Sequence, residues 1–194
     1  MYKLCKTEQS AARQRQLEKG LMELMLEKSY DEISVIDLCH RMQIPRKAFY
    51  RYFTNKDGAL FALLDHTMLE FYAKGLRGAG GTAIGDLKEF FLFWHTHRDL
   101  LEALERSHLS GMMIERATIL AQREKLMPRK ILSWSLDLQG VAMSFAVSGL
   151  MAMVFQWHHQ NYQLSPEEIT HVAISMLTKP LNHMSRNEPH TPGD

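Results

Sequence analysis

Five cationic side chains, Arg41, Arg46, Lys47, Arg51 and Lys56, fall within residues 41–56 with no acidic residue among them. Four aromatic rings, Phe49, Tyr50, Tyr52 and Phe53, are threaded between these charges. Ammonium and guanidinium groups neutralise phosphate, and a guanidinium fork can address O6 and N7 of guanine together. The chemistry this stretch suggests is binding to a nucleic acid. A solvated charged face is the plainer alternative, and the interleaved rings weigh against it.

Such side chains need a scaffold that projects them, and the flanking residues supply the pattern for one. Val35, Leu38, Cys39 and Met42 recur at three and four, which puts them on one face of a short helix capped by Ser34, with Asp37, His40 and Arg41 turned outward. Residues 43 to 45 read as a turn, because Pro45 suits the start of the next helix, where its missing N–H would be unpaired anyway. In that second helix Ala48, Phe49, Tyr52 and Phe53 can face inward or flank the edge, leaving Arg46, Lys47, Tyr50 and Arg51 around its start. Two short helices meeting at a tight turn, the second one basic, form a helix-turn-helix, whose second helix enters the DNA major groove by its N-terminal residues.

From Arg13 to Leu63 the chain resembles the TetR family of bacterial transcriptional regulators. The carriers are the aliphatic run of RQRQLEKGLMELMLEKSYDEIS, ending in a Tyr before the capped second helix, and the segment AFYRYFTNKDGAL, with its spaced aromatics, its Lys and its Leu. The resemblance implies that Arg46, Lys47 and Arg51 meet base edges or nearby phosphates, with Arg46 the base reader. It further implies that Tyr50 and Lys56 hold phosphates and that Ser34 and Tyr52 add backbone contacts. The family usually has Gly where this chain has Ser29 and Gln43, so both turns are expected to be tighter or differently closed.

The rest of the chain fits a soluble helical protein. It has 194 residues, 45% of them apolar and 23% charged, which is enough for one good core or two small domains. Residues 1–56 carry 11 Lys and Arg against 7 Asp and Glu, whereas residues 57–194 carry 12 against 15, so the excess positive charge sits with the candidate reader. Cys5 and Cys39 are the only cysteines, a disulfide framework is not expected, and a reducing cytoplasm fits best. No secretory signal is expected, since no charged segment followed by an apolar run stands at residues 1–30. The most apolar stretch, residues 140–155, falls short of the ~20 residues a bilayer requires and reads as a buried helix.

Helix one is expected from about Glu8 to Lys28, with Leu17, Leu21, Leu24 and Met25 inward and Arg13 and Arg15 either on phosphate or in solvent. Helix four, capped by Thr54 or Asn55, should run to about Lys74. LRGAGGT at 76–82 reads as a flexible link. Helix five, about 83–97, carries Phe90, Phe91, Phe93 and Trp94. A short helix through Leu100, Leu101 and Leu104 leads to a longer one from about Ser110 to Met127, closed by Pro128. Helix eight, about 131–161, has small residues Gly140, Ser144, Ser148 and Ala152 at fourfold spacing, a stripe that lets another helix approach closely. Ser165-Pro166-Glu167-Glu168 is a capping box opening helix nine, with Ile169, Val172, Ala173, Met176 and Leu177 on one face.

The expected architecture is all-α: an N-terminal three-helix DNA-binding bundle with a helix-turn-helix over residues 1–56, joined by helix four to a C-terminal ligand-binding and dimerisation domain over 57–183. A flexible tail follows over 184–194. By the resemblance the last two helices dimerise as a four-helix bundle, so Gly140, Ser144, Ser148, Ala152, Ile169, Val172, Ala173 and Met176 are the candidate interface. Completing a monomer's core is the other use such helices have. The candidate ligand lining, among helices five to eight, is Phe90, Trp94, His108, Met112, Met113 and Phe145.

Of ten histidines no two stand three or four apart, so no metal site is expected, and no GxSxG elbow or paired nucleophile and base suggests an enzyme. No cofactor is expected. The function implied is a homodimeric repressor released from a near-palindromic double-stranded DNA operator by a small-molecule effector, without membrane association. A coactivator or protein-interaction subunit on the same fold is the rival reading.

Overall fold

The computed structural model describes residues 1–78, 83–124 and 135–178. Among them the chain is helical: α1 (Glu8–Glu27), α2 (Val35–Arg41), α3 (Arg46–Phe49), α4 (Lys56–Gly78), α5 (Ala83–Thr96), α6 (Arg98–Arg106), α7 (Ser110–Arg123), α8 (Leu136–His159) and α9 (Pro166–Thr178). A single 3-10 turn, Tyr30–Glu32, separates α1 from α2. The all-α expectation, with an N-terminal helix-turn-helix, is met.

Local chemistry sets the helix ends. The Thr7 hydroxyl accepts the Ser10 N–H at 3.2 Å to open α1, and Asn55 rather than Thr54 opens α4, its Oδ1 accepting the Gly58 N–H at 2.9 Å. Ser165 and Glu168 exchange two hydrogen bonds, 2.7 and 3.2 Å, at the start of α9. Each such cap satisfies N–H groups that a helix leaves unpaired at its first turn.

Three boundaries differ from expectation. Helix α4 continues through Leu76 to Gly78, so the glycines do not end it where Gly75 falls; of the expected link, residues 79–82 lie outside the described residues. Helix α7 ends at Arg123, with Met127 and Pro128 outside the description, as is the whole 184–194 tail. Helix α8 is longer in apolar content than residues 140–155 suggest: residues Asp137–His159 contain a window of mean hydropathy 1.7, long and apolar enough by composition to cross a bilayer. Its inner face, Met143, Met151, Val154, Phe155 and Trp157, is nevertheless packed into the bundle.

One continuous core joins the reader to the C-terminal helices. Leu17, Leu21, Leu24 and Met25 of α1 meet Leu38, Phe49 and Phe53, and the same cluster runs on through Leu60 and Leu64 of α4 to Phe91, Trp94, Leu101 and Trp157. Gly20 allows α1 and α2 to approach, since a Cβ there would lie 2.3 Å from the Met42 sulfur. Tyr30 ties three elements at one point. Its N–H donates to Ser107 Oγ at 3.1 Å and its hydroxyl to Asp57 at 2.7 Å, while Lys56 Nζ donates to its carbonyl at 2.7 Å and lies 4.0 Å from its ring centre.

A second polar knot lies between α1, α4 and α7. Asp65, 1% exposed, receives Arg116 Nε at 2.9 Å and a second prong from Nη2, and the guanidinium also covers the Phe61 ring. Beside it the buried Glu18 carboxylate meets His66 Nδ1 at 2.9 Å and Arg15 at 3.7 Å. Buried carboxylates of this kind hold their positions because an unpaired charge in the interior costs several kcal/mol.

Candidate nucleic-acid interface

The helix-turn-helix is built by capping, a left-handed turn and an aromatic floor. Ser34 opens α2 by accepting the Asp37 N–H at 3.1 Å, and the Asp37 carboxylate takes back the Ser34 N–H at 2.7 Å and its hydroxyl at 2.8 Å. These bonds, with Lys28 at 3.1 Å, pull the Asp37 carboxyl down to about 2. Both donors of Ser34 are thereby committed to Asp37, and the residue serves as a cap.

At the turn Gln43 has φ 51°, the left-handed conformation usually given to glycine. The expected alternative closure is absent here; the Ile44 N–H still reaches the Cys39 carbonyl at 3.0 Å, and those bonds hold Gln43 against its strain. At Ser29 the expectation of a different closure is met. That residue is extended, φ −58° and ψ 145°, and its N–H is taken by the Glu32 carboxylate at 3.1 Å.

Pro45 precedes α3, which is short, and the chain continues as hydrogen-bonded turns through Phe53. Phe49 and Phe53, both 0% exposed, form the floor that fixes α3 against α1. Arg46, Lys47, Tyr50 and Arg51 project into solvent from that floor. Arg46 lies along Tyr50, with Nη2 3.4 Å from the hydroxyl and the guanidinium 6.0 Å from the ring centre. Tyr52 is half-buried.

The nearby charges are sorted. Arg41 pairs with Glu27 and Lys28 with Asp37, whereas Arg46, Lys47 and Arg51 make no ion pair among the described residues. Lys56 differs from its expected role in one respect: one of its protons is held by the Tyr30 carbonyl, leaving two for an external acceptor. Arg13 bonds Gln16 and Arg15 pairs with Glu18, so neither is free of a partner on its own helix.

The candidate ligand lining is split by the structure. Phe90, Trp94 and Met113 are packed in the core at 7%, 0% and 0% exposure, and Met112 is half-buried. Phe145 is 73% exposed on the outer face of α8 and cannot line an interior cavity. His108 lies at an open hollow of about 480 Å³ with Glu105, Ser110, Gly111 and His159. Trp94 Nε1 is buried and finds no acceptor among the described residues.

The candidate dimer face needs correction too. Ile169 and Ala173 are 4% and 1% exposed and pack inward, because α9 buries that side against the chain's own core. The exposed apolar face is Val141, Phe145, Gly149 and Ala152 of α8 with Val172 and Met176 of α9. Gly140, Ser144 and Ser148 sit at its margin, half-buried, and nothing approaches within 4 Å of where a Cβ would stand on Gly140 or Gly149. Fourfold spacing alone could not tell the two sides of α8 apart; the exposed positions follow 141, 145, 149 and 152, one residue beyond the small-residue stripe for most of the helix.

An exposed, unpaired cationic helix set on a buried aromatic floor, in an otherwise all-helical chain, defines a helix-turn-helix DNA-binding protein. A model of the tetR family of bacterial regulatory proteins matches residues 19–63, the span from the middle of α1 into α4. Residues 19–63 are thus a TetR-type helix-turn-helix segment set in an all-helical chain. The fold is similar to the fatty acid degradation regulator FadR from Bacillus halodurans, 14% identical over 93% of this chain and 100% of that one, TM-score 0.61. It is similar also to the dihydroxyacetone kinase operon activator DhaS (15%, 84% and 93%, TM-score 0.51) and to the TetR family repressor AlkX from Dietzia sp., implicated in biodegradation of n-alkanes (16%, 83% and 92%, TM-score 0.53). No curated protein matches the sequence.

Proposed function

We propose that this protein is a homodimeric, cytoplasmic repressor of a bacterial gene or operon, released from a near-palindromic operator by a small-molecule effector, with no enzymatic step. The observation that carries the reading is the unpaired cationic face of Arg46, Lys47 and Arg51 beside Tyr50. Arg46 reads a base edge, Lys47 and Arg51 meet base edges or flanking phosphates, and Tyr50, Tyr52 and Lys56 hold the backbone.

The outer face of α8 and α9 supports a two-fold dimer. Val141 and Phe145 are 70% and 73% exposed, and large apolar side chains clustered on one face of a soluble protein favour a partner. Paired readers then fall about one helical turn of DNA apart.

The Trp94 indole supports an effector site. A buried donor left without an acceptor costs about 1–3 kcal/mol, so a ligand that brings a carbonyl, carboxylate or hydroxyl oxygen to Nε1 among Phe90 and Phe93 gains a hydrogen bond that the packed core does not supply. Binding that reshapes α5 is transmitted by α4 to the spacing of the readers, and by linkage operator DNA weakens effector binding equally. Gln43 and Ser29 leave the helix-turn-helix intact, which weakens the rival reading of a coactivator whose reader is secondary.

Selection of duplexes from a randomised pool, followed by titration of the winner and of the gene's own upstream DNA at several salt concentrations, tests the reading. An inverted-repeat winner with affinity that falls steeply with salt supports it. Arg46→Ala should relax preference at one position of each half-site, while Lys56→Ala weakens all sequences alike. Binding without sequence enrichment would sink the repressor assignment.

A further inference from the structure

Residues 1–5, outside the segment that carries the family signature, fold back along the chain between the recognition helix and α4. Tyr2 forms an antiparallel bridge with Phe53. The Lys3 N–H donates to the Tyr52 carbonyl at 2.9 Å, and the Thr54 N–H and hydroxyl donate to the Met1 carbonyl at 3.1 and 2.9 Å. From the other side α1 holds the arm, with Gln14 Nε2 donating to the Lys3 carbonyl at 3.1 Å. The crossing is tight enough that a Cβ on Gly58 would lie 2.4 Å from the Met1 carbonyl oxygen.

The arm is anchored in the polar knot at the base of the reader. The Tyr2 hydroxyl donates to Asp65 Oδ2 at 2.8 Å, the same buried carboxylate that Arg116 of α7 grips, and the Tyr2 ring meets His66 edge-on at 5.4 Å. Lys3 is set down beside the reader as a result. Its side chain is exposed and its Nζ donates to the Tyr50 carbonyl at 3.2 Å, at the end of α3 and on the residue that Arg46 also touches. An ammonium has three protons, so two remain for an acceptor outside the chain.

We propose that the DNA-contacting surface of this protein extends beyond residues 19–63 onto the arm, with Lys3 a phosphate contact beside Tyr50 and Tyr2 the positioning residue that holds it there through Asp65. The inference rests on the DNA-binding reading above. It adds a cation that the helix-turn-helix pattern does not include, and it makes the reader's phosphate grip depend on a side chain bonded to the α4–α7 junction.

The test uses the full chain and two fluorescent duplexes: one of mixed random sequence, and one that the protein itself selects from a randomised pool. Affinity is measured from about 50 to 200 mM salt, where each lost phosphate contact shallows the log–log slope by about 0.9. Lys3→Ala removes one such contact from each protomer, so the slope of a bound dimer is expected to shallow by about 1.8 on both duplexes, and Lys3→Arg to restore it. Tyr2→Phe should shallow it less, and adding it to Lys3→Ala should cause no further loss, because both act through one contact. Should Lys3→Ala melt early, Lys3→Gln removes the charge while keeping a donor for the Tyr50 carbonyl. An unchanged slope in Lys3→Ala and Lys3→Gln overturns the inference, and additive losses overturn the assignment of Tyr2. Wild-type protein that binds neither duplex defeats the DNA-binding reading itself, a separate result.

Discussion

Arg106 Nη1 donates to the carbonyl of Leu26 across 2.7 Å, and its Nη2 to that of Glu27 at 3.3 Å. A cation from the end of α6 therefore caps the last turn of α1, where carbonyls lack partners and the helix dipole is negative. The helix that backs the helix-turn-helix ends on a residue of α6. Arg106→Ala should lower stability by about 1 kcal/mol, since the site is solvent-exposed. Urea unfolding measures that loss, and an unchanged midpoint would show that water replaces the cap at no cost.

Gln43 stands in the left-handed region at φ 51°. A side chain there costs roughly 1 kcal/mol relative to glycine, partly offset by the greater freedom of glycine in the unfolded chain. Gln43→Gly is expected to raise the unfolding midpoint modestly without weakening DNA binding. A fall in stability would mean that the Gln43 side chain contributes something its backbone does not explain.

Phe145 is the most exposed large side chain of α8. If α8 and α9 pair across a two-fold axis, Phe145→Asp buries a charge in the interface and should convert the dimer to a folded monomer, with loss of operator affinity because the half-sites are no longer bound together. Sedimentation and circular dichroism give the two readouts. A wild-type protein that sediments as a monomer at micromolar concentration would remove the basis for the pairing.

The Tyr2, Tyr72 and Tyr162 phenols are each pushed up to about 12, foremost by burial, and in Tyr2 next by the hydrogen bond to Asp65; Tyr30 is raised for the same reasons beside Asp57. A raised folded pKa means that the native chain keeps protons which the unfolded chain gives up near pH 10. The stability these groups contribute is full below that pH and is lost as pH rises through about 12. Urea midpoints taken across the alkaline range should fall over this window, in step with tyrosinate absorbance. A midpoint that stays level until well above pH 12 would contradict it.

Much of this protein is written in local pattern. Ser34 before a three-four apolar repeat, Pro45 ahead of a basic turn, and Ser165-Pro166-Glu167-Glu168 each specify a helix start through bonds among residues three apart, so the helix-turn-helix and α9 could be placed from the chain alone. The cationic face was equally legible, because exposure of Arg46 and Lys47 follows once Phe49 and Phe53 are assigned to the floor.

What a helix does with its two sides is not local. Small residues on α8 and the run from Ile169 to Met176 on α9 look alike in sequence whichever way they turn, and only packing against α5 put Ile169 and Ala173 inside and left Val141, Phe145, Val172 and Met176 outside. The arm is the same case at longer range: Tyr2 and Asp65 are 63 positions apart, and nothing in either neighbourhood announces that a hydroxyl and a carboxylate will meet. Periodicity fixes which residues share a face, whereas the burial of that face depends on what the rest of the chain brings to it.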